Sequence, residues 1–145
     1  MVEVDITPLA ERQRKGLRSK HATAFARWLD ELKHQGCRAL GYRLTGQVVE
    51  HLCVRHLSGA LRVVVGFHAA DHATIVLIGP HDDTDPGLDV YTRLYALAGL
   101  QAPPAEQRTK PPCCDDAGLP PTRDDVVDQL VDRASDLVRQ RRNPR

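Results

Sequence analysis

A chain of 145 residues with 41% hydrophobic side chains can bury one real core and carry a modest appendage, and is too short for a multidomain machine. Apolar runs such as Ile75 to Ile78 fall far short of the roughly 20 residues of a membrane helix, and the first residues lack the apolar stretch of a secretory signal, so a soluble cytoplasmic protein with no membrane partner is expected. The net charge of +1 conceals an asymmetry: residues 1–62 carry +5 and residues 63–145 carry −4, which puts any polyanion against the first half.

Residues 2–6, VEVDI, alternate as a half-buried strand does, and Thr7-Pro8 supplies the cap and first-turn proline of a helix over about 8–18. Arg12, Arg14, Lys15 and Arg18 make that helix basic. Ser19 then opens a second helix in which Phe25, Trp28, Leu29 and Leu32 recur at core spacing until Gly36. From about 47 the period becomes two, and three strands, 47–57, 60–68 and 73–79, read as an antiparallel meander with a two-residue turn at Ser58-Gly59 and a four-residue one at Ala69–His72. A short helix over about 88–99 follows, carrying Leu88, Tyr91, Leu94, Tyr95 and Leu97.

Six prolines fall between Gln101 and Pro121, which excludes helix or sheet interior and predicts a semi-extended linker. Beyond it Thr122 is a good N-cap, and Val126, Val127, Leu130, Val131, Ala134, Leu137 and Val138 form one apolar stripe ending in the basic tail Arg139, Arg141, Arg142 and Arg145. That stripe can pack on the domain, on a second copy or on a partner helix. The domain plan is thus 1–100, a linker at 101–121, and a helix with its tail at 122–145. Cys37 and Cys53 stand singly and Cys113 and Cys114 are adjacent, a spacing that resembles no zinc pattern, so reduced thiols are the default.

With residues 58 and 59 at the turn, cross-strand partners set Arg55 opposite Arg62, Cys53 opposite Val64 and His51 opposite Gly66 on one face. Two opposed arginines repel at a cost of up to about 1 kcal/mol. A bound anion would relieve them, and so would neighbouring carboxylates or a slipped register. Gly79-Pro80-His81 adds a histidine at the sheet edge and Tyr91 a hydroxyl, which together with the arginines are parts for phosphodiester chemistry: a base, cations for the phosphorane, and an acid. The run Asp82-Asp83-Thr84-Asp85-Pro86, with Asp89 beyond it, is open to three readings: a solvated loop, a partner for the basic groups, or a divalent-cation loop.

The order strand, two helices, three-strand meander, short helix, with Leu44-Thr45-Gly46, His51-Leu52-Cys53-Val54-Arg55, Leu61-Arg62-Val63-Val64 and Ile75-Val76-Leu77-Ile78-Gly79, resembles the RelE/ParE superfamily of toxins, nearest its HigB-like branch, over about residues 2–99. The resemblance implies an α+β domain with an N-terminal strand and helical hairpin packed on a small antiparallel sheet. It implies a type II toxin–antitoxin toxin, a metal-independent and cofactor-free endoribonuclease that cuts translated mRNA on the ribosome and binds a cognate antitoxin. Arg62 matches the arginine of the family's Tyr-Arg-Val strand, Leu61 replacing the tyrosine; His81 and Tyr91 complete the expected catalytic set. Arg55, His51, Arg12 and Lys15 are the expected substrate-binding residues. His51 and Cys53 replace the Glu and Arg of the family's Glu-Leu-Arg strand, which keeps open a ParE-like gyrase inhibitor without catalysis, or a silent interaction module. A homodimer through the C-terminal helix is a further expected partner.

Overall fold

The computed structural model describes residues 1–44, 49–82, 84–85, 89–99 and 110–142, without the side chains at 124, 135 and 137–142. β1 (Glu3–Ile6) passes through Thr7 into α1 (Pro8–Lys15). Thr7 Oγ1 accepts from the Ala10 amide (3.0 Å) and donates to the Val76 carbonyl (2.9 Å), so one buried hydroxyl caps the helix and ties it to the sheet. In α2 (Ser19–Gln35) Phe25, Trp28 and Leu32 are buried as their spacing predicts. Gly36, at φ +60°, then takes the chain out of the helix in a conformation other residues resist. Ser19 lies inside α2; Arg18 holds the cap position, without a capping side chain.

Five strands make one sheet: β1, β2 (Tyr42–Arg43), β3 (Leu52–His56), β4 (Leu61–Ala69) and β5 (His72–Pro80), in the order β1-β5-β4-β3-β2. The meander is antiparallel, and β1 joins β5 in parallel, so the sheet is mixed and the fold α+β. The two helices carry the chain from β1 to β2 at the far edge, and the meander then steps back across the sheet until β5 lies beside β1. α3 (Val90–Leu97) and α4 (Asp124–Arg142) complete the described elements.

The register differs from the expected one by a single residue. Leu57 and Leu61 close a three-residue turn, Ser58 to Ala60, rather than a two-residue one, with Gly59 at φ +55°. Arg55 therefore pairs with Val63, and His56 with Arg62. Side chains alternate faces along a strand, so this one-residue slip puts Arg55 and Arg62 on opposite faces and removes their mutual repulsion. Cys53 correspondingly opposes Val65, and Leu52 rather than His51 opposes Gly66.

β3 also starts later than expected. Residues 45–48 lie outside the described ones, and Val49–His51 form a 3-10 turn. Continuing the β3–β4 register would put position 51 opposite Phe67, but Thr122 forms a parallel bridge with Phe67. Thr122 is thus a sheet partner, and α4 begins two residues later.

Both faces of the sheet are covered. On one, α2 packs on Val63, Val65, Phe67, Ile75 and Ile78; on the other, α3 and α4 pack on Leu52, Val54, Val64 and Leu77. Val126, Val127, Leu130 and Ala134 of α4 are buried within the chain, so this part of the stripe has its partner in the domain itself. Gly66 makes that approach feasible: a Cβ there would lie 2.7 Å from Val127 Cγ2 and 3.0 Å from Leu52 Cδ2.

The cysteines overturn the expectation of free thiols. Cys37 bonds Cys114 and Cys53 bonds Cys113, and none of the four is free. Folding brings together residues 77 and 60 positions apart, a pairing that no local spacing reveals. The bonds clamp the second half of the expected linker onto η1 (Gly36–Ala39) and β3, and the Arg43 amide adds a 2.8 Å bond to the Pro111 carbonyl. Residues 100–109, like Leu88, Asp83 and Pro86 of the earlier readings and Arg145 of the tail, fall outside the described residues. Among the described residues no helix is long and apolar enough to cross a membrane.

Candidate active site

Arg62 stands at the second position of β4, paired with Gly79 of β5 and His56 of β3. Its guanidinium makes long contacts with the Gly59 and Leu61 carbonyls (3.5 and 3.4 Å). One residue past β5, the His81 amide donates to the Ala60 carbonyl (2.8 Å), which extends the ladder beside the same turn. The register thereby fixes the backbones of Arg62 and His81 at one end of the sheet.

The chain then returns to His81 through Asp89. This carboxylate is almost fully buried and is the N-cap of α3: Oδ2 accepts from the Thr92 amide and hydroxyl, each at 2.9 Å. Oδ1 accepts from the Asp82 amide (2.8 Å) and lies 2.8 Å from His81 Nδ1. Burial alone would raise the Asp89 pKa, but the hydrogen bonds from His81, Thr92 and Asp82 outweigh it and hold the carboxyl below its ordinary value. An ionised Asp89 makes Nδ1 the donor, so a neutral His81 ring carries its lone pair on Nε2.

Tyr91, in the first turn of α3, presents its ring to His81 edge-on, with centroids 4.9 Å apart and planes at 75°. Its hydroxyl is hydrogen-bonded to that of Tyr42 on β2. Burial and the Tyr42 contact push the Tyr91 pKa well above the usual phenol range, while the nearby Arg62 guanidinium pulls the other way. Tyr91 therefore stays protonated as a hydrogen-bond donor. Lys110 places its ammonium 5.2 Å from the centre of the Tyr42 ring, which brings a second cation to the group from the clamped strap.

Three of the sequence-derived residues, Arg62, His81 and Tyr91, thus come together, and the others do not join them. Arg55, on the opposite face, donates to the Ala39 carbonyl (3.3 Å) and faces Glu31 at 3.9 Å. His51 lies in the 3-10 turn beside Glu50 (3.6 Å). Arg12 and Lys15 are exposed on α1, the helix whose Gln13 accepts from the Ile78 amide (2.8 Å). Sequence reasoning passed over Tyr42 and Lys110, and took Asp89 only as part of the acidic run, not as the partner of His81. Asp89 did carry a signal, since an aspartate three residues before a threonine at a helix start is a capping pattern; Tyr42 and Lys110 carried none. Of the acidic loop, Asp82 turns inward to its own segment, accepting from the Thr84 amide (2.9 Å) and hydroxyl (2.7 Å).

Chemically, the group combines an Asp-oriented imidazole, a protonated phenol and two cations. These are the elements of proton transfer at a substrate whose charge grows in the transition state. No family model matches the chain, and no curated protein is similar enough to it to count as a match.

Proposed function

We propose that this protein is a type II toxin of the RelE/HigB kind, an endoribonuclease that cuts translated mRNA on the ribosome and is held in check by a cognate antitoxin. The observation that carries the reading is the convergence of Arg62, His81 and Tyr91 at one end of the sheet, with Asp89 orienting the imidazole. The order of elements, strand, two helices, meander and short helix, supports it as well.

In this reading His81 Nε2 takes the proton of the RNA 2′-hydroxyl, and Asp89 stabilises the imidazolium that forms. The 2′-oxygen then bonds to phosphorus as the bond from phosphorus to the 5′-oxygen breaks. Arg62 and Lys110 offset the charge of the crowded phosphorane. Tyr91, held protonated, donates toward the departing 5′-oxygen. Substrate alignment comes from the ribosome, so free RNA is a poor substrate. The same reading puts the protein in the cytoplasm, where disulfides are rare, so the redox state of the four cysteines is a variable of every assay.

The test is induction of the wild-type chain and of Arg62→Ala in a bacterial host, with parallel labelling of new protein and new DNA and primer extension on a translated message. Rapid loss of protein synthesis with discrete cuts inside codons, absent in Arg62→Ala, is the expected result. Early failure of DNA synthesis with intact messages would replace the nuclease by a ParE-like gyrase inhibitor, and normal growth with intact messages would leave a silent interaction module.

A further inference from the structure

We propose a divalent transition-metal site at the β1–β5 edge, with Glu3, Asp5 and His72 as its protein ligands. Glu3 and Asp5 are two residues apart on β1 and so share a face, and the parallel register sets His72 directly beside Glu3. One donor atom from each of the three lies within 4.8 Å of the other two, and His72 Nε2 is 2.7 Å from Asp5 Oδ2. An ion bound by all three would displace this hydrogen bond, the solvent-facing Glu3 and Asp5 side chains opening to metal–ligand distance.

The surroundings fit a cation. Asp5 and His72 also line a cleft of about 250 Å³ whose other polar walls are His68, Thr7, Thr74 and Asp128, and among the described residues no lysine or arginine lines it. The His68 ring stacks on His72, centroids 4.4 Å apart and planes 24° from parallel. His68 is itself fixed by Thr74 Oγ1 (2.7 Å) and by Asp128 at 3.6 Å. The ligand imidazole is thus oriented by the His68 stack, and a carboxylate stands at each end of the stack.

Three protein ligands leave positions for water, as in open zinc sites. An imidazole favours zinc and its neighbours over magnesium or calcium, which take all-oxygen sets. The site is separate from the proposed nuclease site: His72 opens β5 and Pro80 ends it, a span of about 25 Å at strand rise.

Isothermal titration of the metal-stripped full chain with Zn²⁺, and separately with Mg²⁺, tests this. Saturable binding of a single Zn²⁺, at least about tenfold tighter than Mg²⁺, is expected. It should be lost in His72→Asn and in Glu3→Gln, the latter an exposed position where folding is not at risk, and retained in His81→Asn. Absence of saturable Zn²⁺ binding, equal affinity for Mg²⁺, or zinc retained by both His72→Asn and Glu3→Gln would overturn the proposal. So would loss of zinc in His81→Asn alone, which would move the metal to the other end of the sheet.

Discussion

The two disulfides make a quantitative prediction, because the Cys53–Cys113 loop is nested within the Cys37–Cys114 loop. Cys53 and Cys113 are 60 residues apart, and closing a loop of that length restrains the unfolded chain by about 4 kcal/mol at 25 °C. The second bond adds less, since its sulfurs sit close in sequence to those of the first. Around the ring the shorter path takes sixteen steps from Cys37 to Cys53 and one from Cys113 to Cys114, a loop of about 17 residues that contributes about 3 kcal/mol. Either bond, added second, closes the same short path, so removing either alone costs about 3 kcal/mol. Removing both costs about 7 kcal/mol, roughly 1 kcal/mol more than the two single losses together.

The assay is urea unfolding of the oxidised wild type, Cys53→Ala with Cys113→Ala, Cys37→Ala with Cys114→Ala, and the quadruple variant. Trp28 is the chain's one tryptophan, 2% exposed, and its Nε1 donates to the Ala39 carbonyl (2.9 Å) beside the clamp, so its fluorescence reports the transition. Reduction of the wild type should match the quadruple variant. A quadruple variant within about 1 kcal/mol of wild type would refute the clamp. Strict additivity of the two pairs would refute the nested-loop account.

Arg62→Ala should abolish toxicity and message cleavage, whereas Arg55→Ala should spare both and cost well under about 1 kcal/mol of stability, the scale of a part-exposed ion pair; growth and denaturation assays separate them. Asp89 is held below its ordinary pKa, so its ionised form adds stability above about pH 4 that is lost as pH falls through the lowered value. Acid unfolding below about pH 4 should therefore be less steep in Asp89→Asn than in wild type. Gly66→Ala should destabilise by about 1–3 kcal/mol, because its Cβ meets Val127 and Leu52 inside ordinary contact distance. Combining it with Val127→Ala should cost less than the sum of the two in a thermal-melt cycle.

Local patterns predicted the elements well wherever one residue type recurs at one period. The Phe25, Trp28 and Leu32 spacing, the Thr7-Pro8 start and the β-branched runs of β4 and β5 all became the elements expected. β2 escaped because two residues have no period. The hairpin register escaped because a serine and a glycine suit a three-residue turn as well as a two-residue one, and only the closure between Leu57 and Leu61 decides. Cysteine pairing, the Thr122 bridge and the arrival of Lys110 beside Tyr42 depend on where the last third of the chain crosses the sheet.

The one-residue slip decides what each arginine does. In the expected register both would crowd one face, and the argument for an anion site would rest on their repulsion. In the observed register Arg55 turns to α2 and is taken up by Glu31 and the Ala39 carbonyl, as a link between helix and sheet. Arg62 turns to the α3 face and acts on the Tyr91 hydroxyl. An anion site there no longer needs repulsion to justify it, because its other members are brought by independent elements: His81 by the end of β5, Asp89 and Tyr91 by the start of α3, Tyr42 by β2, and Lys110 by the disulfide-clamped strap. In reduced protein that Trp28 fluorescence shows to be still folded, the strap and Lys110 should be released while the Arg62–Tyr91–His81–Asp89 group stays tied by strand pairing and a helix cap. An assay that compares oxidised and reduced protein for cleavage separates the contribution of Lys110 from that of the other four. A full loss of activity in reduced protein that is still folded would show that the strap, rather than the sheet end, holds the substrate.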